Sequence, residues 1–206
     1  MRNELILPSP RTLQRSIKLL QISPGINDFI FDMIKKRIVN FTSLDRLCVI
    51  CIDEMSLKAN LHYNISRDEV MGFENFGHKK RFLPACNAAV IMIRGICSSR
   101  KQPIAYYLLN STFNEIDVQN AVQEMVRRLQ NIGLKVTALV SDMGKNYQNM
   151  IQHLSVTPEN PYFEIDGERI YYLADSPHLI KATRNNTIFI LTILNTIMIK
   201  FLGILL

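Results

Sequence analysis

Cys48-Val49-Ile50-Cys51-Ile52-Asp53 decides the fold: a short run of small or β-branched apolar residues closing on a carboxylate. Two later runs repeat the pattern, Val136-Thr137-Ala138-Leu139-Val140-Ser141-Asp142 and Ile170-Tyr171-Tyr172-Leu173-Ala174-Asp175. Runs this short and this little interrupted by polar residues read as strands covered on both faces, each with its acid projecting where the strand stops. Strand ends are where α/β sheets build sites. Carboxylates gathered there repel one another unless a cation neutralises them. The expectation is therefore a magnesium-dependent phosphoryl-transfer site.

Working outward, residues Pro8 to Asn40 read as helical. A first helix starts at Ser9-Pro10, a cap followed by proline at the first helical position, and Ser23-Pro24-Gly25 breaks it. A second, about Asn27 to Val39, puts Ile30, Met33, Ile34 and Ile38 inward and Lys35, Lys36 and Arg37 outward. A solvated face is the favoured reading of that basic triplet over DNA contact. From Leu47 the pattern is that of strands, with a hairpin through Asp68 to Phe73 and strands at Ala88–Arg94 and Pro103–Leu109. Thr112-Phe113-Asn114-Glu115 resembles a capping box, and Val118, Val122, Met125, Val126, Leu129 and Ile132 hold one helical face until Gly133. The second aspartate strand follows, then a helix from Gly144 to Leu154 and the last strand. Antiparallel strands first, then helix, strand, helix, strand, is the order of an α/β, RNase H-like mixed five-stranded sheet flanked by helices, here preceded by a short helical segment. In that plan Asp53 and Asp142 are neighbours. The expected division is 1–44 helical, 45–186 an incomplete RNase H-like domain, and 187–206 an apolar tail.

The chain has 206 residues, with 24 Lys and Arg against 18 Asp and Glu, a net charge of +6 that suits a polyanionic partner without demanding one. Its start, Met1 to Pro8, lacks the apolar core of a signal peptide. Cys48 and Cys51 form a C-x-x-C, but three apart on a strand they face opposite ways and neither share a metal nor close a disulfide, so buried, inert thiols are expected. His62, His78, His153 and His178 supply no zinc spacing with the cysteines. A reducing compartment, cytosol or nucleus, follows.

Mg²⁺ takes oxygen ligands and is held by one or two carboxylates plus substrate phosphates. Asp53 and Asp142 are the candidate catalytic and metal-binding pair, against the blander role of a turn or cap. Glu54 should point away from Asp53, and Asp175 is a possible accessory. After Asp175, His178, Lys181 and Arg184 recur every three residues and are candidate DNA contacts, in balance with an ordinary basic face.

These residues resemble the P-element transposase family, which includes the THAP-type transposases. The resemblance is carried by Leu7-Pro8-Ser9-Pro10-Arg11-Thr12-Leu13, Cys51-Ile52-Asp53-Glu54-Met55-Ser56-Leu57-Lys58, Arg94-Gly95 with Lys101-Gln102-Pro103-Ile104, Gly133-Leu134-Lys135-Val136, Ser141-Asp142-Met143-Gly144-Lys145-Asn146, Val156-Thr157-Pro158-Glu159-Asn160-Pro161-Tyr162-Phe163 and Asp175-Ser176-Pro177-His178-Leu179-Ile180-Lys181. It implies a nuclear enzyme of DNA transposition that cuts DNA at transposon ends and transfers strands, with an RNase H-like domain, a DDE triad and Mg²⁺ or Mn²⁺. Asp53 and Asp142 match the first two acids. It implies no small-molecule substrate, and allows a homo-oligomer.

The sequence also departs from the family. The family's GTP-binding insertion domain follows the Pro-His-Leu-Ile-Lys segment and precedes the last catalytic glutamate; this sequence stops first. The THAP zinc module is missing too. The expectation is a truncated copy that keeps the fold and is inactive alone; the alternative is a domesticated, non-catalytic DNA-binding or interaction module. No G-x-x-x-x-G-K-[ST] loop occurs. The tail from Thr187 to Leu206 is long enough to span a bilayer, but Asn195 and Lys200 interrupt it, so membrane insertion is not expected.

Overall fold

The computed structural model describes residues 8–18, 22–65, 68–180 and 183–184. In chain order they form α1 (Pro10–Lys18), β1 (Gly25–Ile26), α2 (Asp28–Ile38), β2 (Leu47–Ser56), β3 (His62–Asn64), β4 (Glu69–Met71), β5 (Phe73–Asn75), β6 (Lys80–Pro84), β7 (Asn87–Gly95), β8 (Lys101–Leu109), α3 (Glu115–Asn131), β9 (Lys135–Ser141), α4 (Lys145–His153), β10 (Tyr162–Ile165) and β11 (Glu168–Ala174). Lys181 and the 187–206 tail lie outside the described residues. Among the described residues no helix is long and apolar enough to cross a membrane.

The centre of the main sheet is the expected mixed unit. β2 runs antiparallel to β7, and β7 to β8. On its other side β2 runs parallel to β9, and β9 parallel to β11. Among the described residues this five-stranded centre is widened to nine: β10 extends one edge, β5 and β6 the other, and β1 pairs with β8. These added strands are two to five residues long, too short to display a period of two. The hairpin expected through Asp68–Phe73 is instead divided at Gly72 between two hairpins, β3 with β4 and β5 with β6.

The sheet is covered mainly on one side. Cys48, Ile50 and Ile52 of β2 share a face with Ile91 and Ile93 of β7 and with Val136 and Leu139 of β9, all buried. Onto this face pack Val118, Val122, Met125, Val126 and Leu129 of α3, Tyr147 and Met150 of α4, and Phe31, Ile34 and Ile38 of α2. On α2, Phe31 takes the inward position that the periodicity gave to Met33, which is exposed, whereas Lys35, Lys36 and Arg37 point to solvent as expected. The opposite face carries Val49, Cys51, Val90, Met92, Tyr106 and Val140, only half-buried, with Tyr171 and Leu173 exposed. The aspartate strands are therefore one-sided, and their outward residues are apolar too, which is why they read as doubly covered.

α3 begins two residues later than the capping-box reading placed it. Asn114, not Thr112, is its cap, and its side chain accepts the Ile116 N–H at 2.8 Å. Glu115 reaches sideways to Asn149 of α4 rather than back to Thr112. At the other end Gly133, at φ +93°, lets Leu134 N–H return to Leu129 C=O at 3.0 Å and Gly133 N–H to Gln130 C=O at 2.9 Å. That closure turns the chain directly into β9.

Candidate metal centre

β2 and β9 pair in parallel, but not with one offset throughout. Cys48 faces Val136 while Val49 faces Ala138, so Thr137 is an extra residue, and its Oγ1 donates to the Cys48 carbonyl at 3.1 Å. The bulge has a geometric consequence. Continued from Cys51↔Val140, the register sets Asp53 opposite Asp142; without the extra residue Asp53 would face Ser141, and Asp142 would belong to the covered face. The β9–β11 pairing Ala174↔Ser141 likewise puts Asp175 level with Asp142. By this continuation Asp53, Asp142 and Asp175 fall at one level of three neighbouring strands, Asp142 and Asp175 each one residue past the end of its strand.

Asp53 does not end its strand. β2 continues to Ser56 because β7 goes on pairing with it through Ser56↔Asn87, while β9 stops at Ser141. Asp53 is consequently at the point where β2 loses one neighbour, and its side chain is exposed. Its Oδ1 accepts the N–H of Glu54 at 2.9 Å. Asp142, half-buried, accepts the Gly144 N–H on Oδ1 at 3.0 Å in the turn into α4. Its carbonyl receives the Tyr172 hydroxyl at 3.4 Å, and that hydroxyl lies 3.0 Å from Ser141 Oγ. Burial raises the Tyr172 pKa, the Ser141 hydrogen bond lowers it and the Asp142 charge raises it. The Asp175 N–H donates to Ser141 C=O at 2.8 Å, and its carboxylate pairs with His178 Nδ1 at 3.8 Å.

Among the described residues, neither Asp53 Oδ2 nor Asp142 Oδ2 has a hydrogen-bond donor. Among the same residues no three His, Cys, Asp or Glu side chains converge into a cage for a metal. Two open carboxylate oxygens suit Mg²⁺, which keeps several waters and takes phosphate oxygens for the rest. The donor set fits.

The other candidates divide. His178 is exposed in the helical segment 176–180 and turned to Asp175; Arg184 is exposed; Lys181 is outside the described residues. Cys48 is on the covered face, its thiol pushed up to about 12 by burial, with a small opposing effect of Arg100. Cys51 is on the open face, raised by burial first and influenced by both Arg94 and Asp175.

Glu54 points away from Asp53, as the alternation along a strand predicts, and turns to the covered face; its partners there were not predicted. Its Oε1 accepts from Asn146 Nδ2 and from the Tyr147 hydroxyl, both at 2.9 Å, and Oε2 from the Phe113 N–H at 3.4 Å. Tyr147 is 1 % exposed, and its pKa is raised by burial first and then by Glu54, Asp142 and Asp53.

The family model described as TNP-like, RNase H N-terminal domain, matches residues 22–155. The Transposable element P transposase of Drosophila melanogaster is 29% identical over 183 residues, covering 87% of this chain and 22% of that protein. DNA transposase THAP9 of Homo sapiens is 27% identical over 198 residues, 90% of this chain and 22% of that protein. The chain therefore spans under a quarter of the length of these curated relatives. In the solved Drosophila P element transposase strand transfer complex, a chain that is 29% identical superposes with a TM-score of 0.68 over 87% of this chain and 37% of its own length. With a fold of the same kind, and with the family's pattern running from before α2 to the end of α4, this chain belongs to the family of the TNP-like, RNase H N-terminal domain.

Proposed function

We propose that this domain holds a divalent cation, Mg²⁺ or Mn²⁺, between Asp53 and Asp142 and serves phosphoryl transfer on DNA: cleavage of transposon ends and strand transfer, in the nucleus. The observation that supports the reading is the bulge-shifted register of β2 and β9, which, continued two residues beyond its last pair Cys51↔Val140, brings Asp53 and Asp142 level on the open face. The relatives' names, a P transposase, a DNA transposase and a strand transfer complex, support the reaction class.

The chemistry asked of the chain is modest. Bound there, the cation neutralises charge at the scissile phosphate and lowers the pKa of the attacking water or 3′ hydroxyl. Asp53 and Asp142 would hold it through Oδ2, which accepts no hydrogen bond from the described residues. The Gly144 N–H and the Tyr172 hydroxyl keep Asp142 from swinging away. Asp175 is an accessory acid one strand further on, steadied by His178. His178 and Arg184, both exposed, would meet DNA phosphates, with Lys181 a candidate on sequence alone; such contacts position DNA without reading its sequence.

The test is Mn²⁺ binding by the full chain, measured by calorimetry beside Asp53→Asn and Asp142→Asn. Each substitution should weaken Mn²⁺ binding while leaving salt-sensitive DNA retention in place. Unchanged Mn²⁺ binding in both variants would remove the two-aspartate site; DNA retention with no Mn²⁺ binding by the parent chain would support a binding module instead.

A further inference from the structure

We infer that Glu54 is the positioning residue of the metal centre: from the covered face of the sheet it clamps the first turn of α4, and so holds Asp142 at the level of Asp53. This rests on the two-aspartate reading and names what keeps that pair in register.

Successive residues of a strand point to opposite faces. Asp53 therefore looks into the open face while Glu54, bonded to it directly, looks into the helix layer. There Glu54 meets the start of α4 through Asn146 and Tyr147, and the approach to α3 through Phe113 N–H. Asn146 Nδ2 also donates to the Phe113 carbonyl at 3.0 Å, so β2, the α3 approach and α4 share one knot.

Asp142 is fixed at both ends by this arrangement. Behind it β9 is paired through Ser141. Ahead of it only Met143 and Gly144 intervene before α4 begins at Lys145. The N-cap position of α4 is Gly144, which offers no side chain to cap the helix. A carboxylate near a helix N-terminus is favoured by the helix dipole, and Glu54 supplies one from the neighbouring strand. The turn is also tight: a Cβ on Gly144 would stand 2.7 Å from Asn146 Oδ1 and 3.0 Å from Asp142 Oδ1. Movement of the α4 turn is thereby movement of the Asp142 carboxylate. Groups that orient a metal ligand typically change metal affinity about 10- to 100-fold when removed.

The experiment uses the full chain with Mn²⁺ alone as the probe, followed by electron paramagnetic resonance, together with amide hydrogen exchange. Glu54→Ala should weaken Mn²⁺ binding about 10-fold or more and speed exchange at residues 143–148. Glu54→Gln, which keeps an oxygen for Asn146 and Tyr147, should stay within about 3-fold of the parent, since the acceptor oxygen is retained. Leu129→Ala, in the buried face of α3, lowers stability without touching the knot, and should leave Mn²⁺ affinity unchanged. Unaltered affinity in Glu54→Ala, or an equal loss in Leu129→Ala, would overturn the inference. If the parent chain binds no Mn²⁺, the two-aspartate reading fails by itself; the clamp is then judged by exchange, faster in Glu54→Ala if it exists and unchanged if it does not.

Discussion

Replacing Tyr147 by Phe removes one hydroxyl from the centre of the Glu54 knot and almost nothing else. The ring is 1 % exposed and packs in the core, so Phe retains its van der Waals contacts. What is lost is the 2.9 Å hydrogen bond to Glu54 Oε1. A hydrogen bond to a charged group contributes about 1.5–3 kcal/mol. The lower end applies here, because Glu54 keeps Asn146 and the Phe113 N–H and is not left bare. The expected loss is therefore about 1.5 kcal/mol, which lowers the melting temperature by roughly 3–6 °C for a domain of this size. Urea unfolding followed by far-ultraviolet circular dichroism measures it, the chain having no tryptophan. Repeating Tyr147→Phe in a Glu54→Ala background should reduce the cost to below about 0.5 kcal/mol, since the partner is gone. A cost within about 0.5 kcal/mol of zero in the parent, or an undiminished cost in the double variant, would refute the role given to this bond.

Gly133→Ala should lower stability by more than the usual ~1 kcal/mol difference in backbone preference, because φ is +93° and the new Cβ would stand 2.8 Å from Arg46 Nη1; equilibrium unfolding equal to the parent would contradict this. Stability should also decline on the alkaline side. In the unfolded chain the Cys48 thiol ionises above about pH 8.5, whereas burial holds it protonated in the fold up to about 12. Its contribution is thus fully present below the unfolded pKa and lost as pH rises between those values, at about 1.4 kcal/mol per pH unit. Cys48→Ala should flatten the alkaline slope of unfolding free energy by that amount, and parallel slopes in parent and variant would count against it.

How much of this could be read from the residues differs by element. The three aspartate runs gave the parallel arrangement of β2, β9 and β11, because their apolar composition survives in the structure as β-pairing. Gly133 gave the end of α3 for the reason that a left-handed closure requires it. The Thr137 bulge was not legible: one extra residue in Val136-Thr137-Ala138 leaves an apolar run looking the same, yet it decides which face Asp142 joins. Nor was the end of β2, since pairing with β7, and not composition, carries that strand on to Ser56. The edge strands β1, β5, β6 and β10 owe their form to neighbours they meet only in the folded chain. The direction of Glu54, away from Asp53, was legible from alternation along the strand, but its partners Asn146 and Tyr147 were not, because they lie 92 and 93 positions away.

The central claim is that Asp53 and Asp142 share one cation. Crystals of the domain soaked in Mn²⁺, with anomalous scattering used to locate the metal, test it directly. The account predicts a single strong peak within about 2.0–2.6 Å of an oxygen from each aspartate, the bond lengths of such hard cations. A peak bound elsewhere, or side chains more than about 8 Å apart with no metal between them, too far for bridging even through water, would contradict it.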